Sequence, residues 1–235
     1  MSARIEGQPA YVLHLRAYRD SSAIIDLFSR DYGYLSVVAK GLKSSSKSRQ
    51  QWRAALQPGN LIQVSWQGRS ELKTLVDAQL NSTFPLRGNA LYCAFYINEL
   101  LGRLLQPFDP QAEVFKLYGR SLLELSSGSH VEPILRSFEL TLLTELGYGV
   151  DFSPIESAPE AYFIYDPEHG FCQVSASMDP HQKAFSGHLL QQLARADWDA
   201  DTLKVAKRLN RLILAPLLGD RPLNSRKLFL RQYSD

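Results

Sequence analysis

The sequence predicts an α+β protein: an OB-type β-barrel over residues 1–84, then a mainly α-helical domain over 85–235 with a small β-hairpin. Three observations predict it. The first 80 residues hold five short β-branched or aromatic runs separated by turn residues. One long connection, 41–57, precedes the fourth run and suits a five-stranded OB barrel, although strand count and spacing leave an SH3-like barrel open. Around Ser82–Gly88 the hydrophobic period changes from two to helical.

The strands are Tyr11–Arg16, Ala23–Phe28, Tyr34–Ala39, Leu61–Trp66 and Leu72–Val76. Asp31-Tyr-Gly33 turns the second into the third, and Pro58-Gly59-Asn60 and Gln67-Gly68 bracket the fourth. Alternation puts Tyr11, Leu13 and Leu15 inward, with Leu35, Val37 and Ala39 and then Ile62, Val64 and Trp66. The outward set contains Arg16, Tyr18, Tyr34, Lys40 and Lys73. Aromatics interleaved with cations suit single-stranded nucleic acid, offering ring faces to bases and charge to phosphates. Ordinary cross-strand packing is the competing account of any one tyrosine.

Asn89–Leu105 is apolar nearly all round, as a buried central helix should be, and Pro107 marks its end. A second helix covers about Ala112–Leu125. A third begins at Ser129, whose spacing to Glu132 fits a capping box, and runs to Leu146 before Gly147-Tyr-Gly149. Tyr162–Val174, broken at Asp166-Pro and Gly170, reads as the hairpin. Ser186 caps a helix through Ala194, Asp201 starts another through Leu218, and a short one follows near Asn224.

Charge is balanced overall, 26 Lys+Arg against 24 Asp+Glu, but not locally. Between Asp31 and Glu71 there is no carboxylate, while Lys40, Lys43, Lys47, Arg49, Arg53 and Arg69 fall in that interval. Confining cations to a short serine-rich segment creates a local field for an anion, most commonly phosphate backbone. A merely solvated loop is the plain alternative. Further on, Lys204, Lys207, Arg208 and Arg211 share one helix face opposite the stripe Ala206, Leu209, Ile213, Leu217, and Arg221, Arg226, Lys227 and Arg231 extend the basic character. With no acidic neighbour on the same helix, those cations gain from an anionic partner.

Hydrophobic content of 45% and charged content of 21% describe a folded soluble chain. The first residues lack an apolar core of the signal-peptide kind, and no later run approaches a membrane span. Cys93 and Cys172 read as reduced thiols of a cytosolic protein, and no four-ligand cluster offers a zinc site. Catalysis finds no support: His14, His130, His169, His181 and His188 form no metal motif, with His181 and His188 at most sharing a face. There is no Walker loop or nucleophile elbow, and Asp197, Asp199 and Asp201 read as helix-start residues. A nuclease built on Asp/Glu and a divalent metal, or an adaptor for acidic peptides, are the rival classes.

Five motifs in order carry a resemblance: Val38-Ala-Lys-Gly41 before the basic loop with Ala54-Ala-Leu-Gln-Pro58, Tyr96-Ile-Asn-Glu-Leu-Leu101, Arg136-Ser-Phe-Glu-Leu140 with Leu146-Gly-Tyr-Gly149, Lys204-Val-Ala-Lys-Arg208, and Ser225-Arg-Lys-Leu-Phe229. Together they resemble the RecO family of bacterial DNA repair proteins over nearly the whole chain. The resemblance implies an OB domain and a helical domain, and a non-enzymatic recombination mediator without a cofactor. Such a protein binds single- and double-stranded DNA, anneals complementary strands and works with RecR on strands coated by single-strand-binding protein, whose acidic tail it recognises. It also implies a cytoplasmic, nucleoid-associated protein with no membrane partner, and a monomer when alone. Some relatives carry a four-cysteine zinc site, which this sequence lacks. DNA contacts are expected from Arg16, Tyr34, Lys40, Lys43, Lys47, Arg49, Arg53 and Lys73, and from Lys204, Lys207, Arg208 and Arg211. For the tail, an arginine beside an apolar pocket is implied, with Arg136 as candidate and Phe115 and Leu122 as pocket walls. A structural pair of Arg136 with Glu139 or Glu132 is the alternative.

Overall fold

A computed structural model describes residues 4–174 and 184–231. The chain forms two compact units, one of Met1–Ser129 with Pro222–Asp235 and one of His130–Arg221. The barrel shares its compact unit with the first two long helices after it.

In the first unit five strands close a barrel in the order β1-β2-β3-β5-β4: β1 (Arg4–Tyr18), β2 (Ser22–Ser29), β3 (Gly33–Ala39), β4 (Leu61–Gln67) and β5 (Lys73–Ser82). The β3–β5 pairing is parallel, Val37 opposite Lys73 and Val38 opposite Thr74. A helix lies between β3 and β4, which makes the barrel OB-like. Strand β1 is longer than expected because it pairs twice, its first half with β4 and its second with β2.

The interior is built from Ala10, Val12, Ile25, Leu27, Leu35, Val37, Ile62, Val64, Trp66 and Leu75. Inward Leu35, Val37, Ile62, Val64 and Trp66 follow the expected alternation. In β1 that expectation holds for Leu15 and fails for Tyr11 and Leu13. The register shifts between Val12 and His14, so Ala10 and Val12 enter the barrel and Tyr11 and Leu13 leave it. Tyr11 packs instead on Phe115 and Tyr118, ring centroids 4.8 and 4.7 Å away. The Leu13 carbonyl accepts from Asn98 Nδ2 at 2.9 Å, and Asn98 Oδ1 accepts from the Tyr118 hydroxyl at 2.6 Å. Burial pushes the Tyr118 phenol far up, so it remains a donor.

The 41–57 connection contains α1 (Lys47–Ala55). Trp52, Ala55 and Leu56 join the barrel's buried cluster, and Asn60 Nδ2 donates to the Ala54 and Ala55 carbonyls at the helix end. Helix α2 (Gly88–Leu104) buries Cys93, Ala94, Tyr96, Ile97, Asn98, Leu100 and Leu101, and α3 (Ala112–Ser126) packs beside it. Gly119 on α3 leaves room for Tyr11: a Cβ there would lie 2.3 Å from the phenol oxygen.

The second unit holds α4 (Val131–Glu145), α5 (Ser153–Ser157), β6 (Tyr162–Asp166), β7 (Gly170–Val174), β8 (Phe185–Ser186), α6 (Gly187–Ala194) and α7 (Ala200–Leu218). The hairpin is β6–β7, and β8 adds a third strand in the order β7-β6-β8. The capping box at Ser129 does not form. His130 takes the N-cap position and the Ser129 hydroxyl bonds Ser127. Ser186 occupies the N-cap of α6 without a side-chain bond. Helix α7 starts one residue before Asp201, capped by Asp199, whose carboxylate accepts from the Asp201 and Thr202 amides. A final helix, α8 (Arg226–Arg231), returns to the first unit.

Candidate nucleic-acid interface

Beyond Ala39 the chain turns at Gly41, whose φ of 63° favours glycine. The Lys43 amide donates to the Ser21 carbonyl at 3.1 Å, tying this turn to the β1–β2 connection. Lys40, Lys43 and Lys47 are exposed and pair with no carboxylate among the described residues. The first turn of α1 contains no acid and carries Lys47 and Arg49. Cations at the positive end of a helix dipole disfavour it by a few tenths of a kcal/mol each. Their placement therefore does not serve the helix.

Arg49 stacks on Trp52, guanidinium carbon to ring centroid 3.9 Å, and the Trp52 indole donates to Asp77 Oδ1 at 3.3 Å. This preorganises Arg49 while leaving it without a carboxylate partner. Arg53 departs from expectation. Its Nη1 donates to the Leu42 and Ser44 carbonyls, so it fastens the loop and is not an open phosphate ligand. Sequence reading missed Arg19, which lies in the β1–β2 connection beside the Lys43 turn, exposed and over the Tyr18 ring at 5.1 Å. Asp20, Asp26 and Asp31 separate it from the acid-free interval, which hid it.

The outward barrel face differs more. Arg16 donates to Asp26 at 2.6 Å, and Asp26, only 6% exposed, also accepts from the Ser36 hydroxyl at 2.6 Å. Burial alone would raise the Asp26 pKa, but hydrogen bonds from His14 and Ser36 and the Arg16 charge hold it below the usual range. Arg16, expected as a DNA contact, thus already has an internal carboxylate partner. Tyr34 is half-buried beside this group, its phenol pushed up by burial and by the Asp26 charge. Lys73 lies over the Phe108 ring, Nζ 4.7 Å from the centroid.

On α7 the four cations divide. Lys204 pairs with Asp201 at 2.8 Å, so the face does have an acidic neighbour, which raises the lysine. Arg208 stacks on Phe185 at 3.6 Å and donates to the Ala184 carbonyl, and burial lowers it. Lys207 and Arg211 are exposed and unpaired among the described residues. The Arg231 side chain lies outside the described residues.

Of the residues expected for the tail, Arg136 belongs to the second unit and Phe115 and Leu122 to the first. Arg136 is 9% exposed and donates to the fully buried Glu139 at 2.7 Å, while Asn210 Nδ2 donates to the same carboxylate oxygen at 2.7 Å. This is the structural pair, sunk into the second unit between α4 and α7. Leu122 has no exposed surface, and Phe115 packs on Tyr11 and Phe28 in the first unit.

Among the described residues no three His, Cys, Asp or Glu side chains converge as a metal site would need. Cys93 is buried and Cys172 half-buried, both free thiols. His188 pairs with Glu160, and the expected His181 lies outside the described residues. No described helix is long and apolar enough to cross a membrane.

Comparison with known proteins agrees with this architecture. Residues 1–84 match the family model described as Recombination protein O N terminal, and 85–227 that described as Recombination protein O C terminal. A DNA repair protein RecO of Cellvibrio japonicus is 43% identical over 235 residues, covering 96% of this chain and 97% of that protein. Those of Erwinia tasmaniensis (41%, covering 96% and 93%) and Photobacterium profundum (39%, covering 95% of each) are similar over the same span.

Proposed function

The chain belongs to the RecO family of DNA repair proteins, and from that premise we propose that it is a non-enzymatic recombination mediator that captures and anneals DNA strands. One observation carries the reading: Lys40, Lys43 and Lys47 stand exposed and without a carboxylate partner among the described residues around the start of α1, with Arg49 held ready on Trp52. Each phosphate that such a cation neutralises releases counterions, which drives binding without reading sequence. Arg19 adds charge beside the same turn, and Arg53 keeps the loop in place.

Annealing then needs no chemistry. Two strands held on cationic surface repel each other less and meet at a raised effective concentration. Lys207 and Arg211 on the second unit are a further place for a strand or duplex. Within this reading RecR and the acidic tail of single-strand-binding protein are partners, the working place is the cytoplasm at the nucleoid, and Arg136 has no part in tail capture.

The experiment is charge reversal of Lys43, Lys47 and Arg49 to Glu in a chain shown to remain folded, followed by binding and annealing of labelled oligonucleotides. Loss of both is expected. Unchanged affinity and annealing would remove the loop from the mechanism. An acidic, Phe-terminated peptide binding tightly where DNA does not would replace the proposal with the adaptor reading.

A further inference from the structure

Segment 107–109, which follows α2 and lies outside the barrel sequence, is laid along the barrel's β3. Pro107 bridges Tyr34, and the Phe108 amide donates to the Tyr34 carbonyl at 2.9 Å. Gly33 permits the approach: a Cβ there would lie 2.1 Å from the Asp109 carbonyl oxygen. Phe108 itself has a φ of 60°, a backbone region that a bulky side chain rarely enters and keeps only where its surroundings impose it.

Core packing does not explain that conformation. Phe108 is 40% exposed, and no other described phenylalanine is left in the open. Among the described residues its ring faces a cation, Lys73, at 4.7 Å from the centroid. Asp109 beside it is already engaged as acceptor of Gln111 Nε2 at 2.8 Å. A fixed, open ring with a lysine against it matches the two parts of a nucleotide: a base stacks on an aromatic surface while its phosphate meets the cation.

We propose that Phe108 is a base-stacking site for single-stranded DNA on the barrel, with Lys73 as its phosphate partner. The proposal rests on the strand-binding reading above and adds to it a contact with bases rather than backbone. A domain consisting of residues 1–84 alone lacks the ring and so lacks this site.

The test compares a fluorescent oligo(dT) with an abasic oligomer of equal length, using the full chain. Phe108→Ala is expected to weaken oligo(dT) binding roughly 5- to 150-fold, the range for loss of one stacked base, and to leave abasic binding and the salt slope unchanged. Phe108→Tyr, which keeps the ring, is expected to bind as the parent does. Phe108→Asn, whose residue type tolerates positive φ, serves in place of the alanine variant should that one fail to fold. Equal affinities of parent and variant for oligo(dT), or equal losses on both oligomers, overturn the stacking site while the strand-binding reading stands. A parent chain that binds neither oligomer overturns both.

Discussion

Arg53, on α1, donates its Nη1 to the main-chain carbonyl of Ser44 at 2.7 Å, so a cation of the basic segment is spent on the segment's own backbone. The same atom serves Leu42, whose side chain joins the barrel's buried cluster. Removing the guanidinium leaves these carbonyls to water and frees residues 42–44 from the helix. Arg53→Met should therefore destabilise the chain by about 1–2 kcal/mol, less than a fully buried charged bond because the site is half-exposed. It should weaken DNA binding without changing the salt slope, since no phosphate contact is lost. A shallower slope for Arg53→Met would make Arg53 a phosphate ligand after all.

With Arg53 removed from the ligand set, four loop cations remain: Lys40, Lys43, Lys47 and Arg49. If each meets one phosphate of a single strand, log affinity should fall against log salt with a slope near −3, at roughly −0.7 per contact. Changing Lys40, Lys43 and Lys47 to Gln should make the slope shallower by about 2 units on the same basis. Arg16→Gln should leave it unchanged, because Arg16 is already paired with Asp26.

Asn98 ties the β1 bulge to the helices through both ends of its amide. Asn98→Leu would bury the Leu13 carbonyl and the Tyr118 hydroxyl without partners, at a cost of roughly 2–5 kcal/mol from two unsatisfied groups. Tyr118→Phe removes one donor and should cost less, about 1–2 kcal/mol. Urea unfolding separates the two. Equal losses would show that the Leu13 bond contributes nothing.

The C-terminal segment hangs on Glu99 of α2, which accepts from the Asn224 and Ser225 amides at 2.9 Å each, from the Ser225 hydroxyl at 2.7 Å and from Arg103 at 2.7 Å. Burial opposes the charge, but these donors outweigh it and hold the Glu99 pKa below its ordinary value. A depressed folded pKa means the contribution is complete above the unfolded value, about 4.3 for Glu, and is lost as pH falls through the lower folded value. Amides of residues 224–228 should lose hydrogen-exchange protection below that pH while the barrel keeps its own. Glu99→Gln should show the weakened state already at neutral pH, and pH-independent protection in the parent would refute the latch.

Much of this was readable in the residues, and the failures have specific causes. Period-two alternation placed β3 and β4 correctly, because those strands run through the inward positions without interruption. It failed at Tyr11 and Leu13, because a bulge reverses parity and leaves no mark in composition. Helix α1 was missed although Trp52, Ala55 and Leu56 have helical spacing, since nine residues rich in Lys, Arg, Ser and Gln read as a solvated loop. Cations were legible as residues, but their partners were not: Asp26 lies across a strand pair from Arg16, and Phe185 is remote in sequence from Arg208. The Asp201–Lys204 pair was legible at i,i+3 and was overlooked.

The buried pair of Arg136 with Glu139 allows stability and partner binding to be separated. Arg136→Ala takes the guanidinium from a fully buried carboxylate that Asn210 also serves and should cost about 3–5 kcal/mol, so any loss of tail binding in that variant confounds unfolding with recognition. Replacing both charges, Arg136→Met with Glu139→Leu, removes the ion pair without stranding either partner, and such swaps are often neutral or stabilising. Asn210 Nδ2 then loses its shorter acceptor and keeps the Arg136 main-chain carbonyl at 3.4 Å, which sets a remaining cost of about 1 kcal/mol. The double variant should therefore unfold near the parent and bind an acidic, Phe-terminated peptide with unchanged affinity. A folded double variant that has lost the peptide would return Arg136 to the binding site and require α4 and α7 to part when the tail arrives.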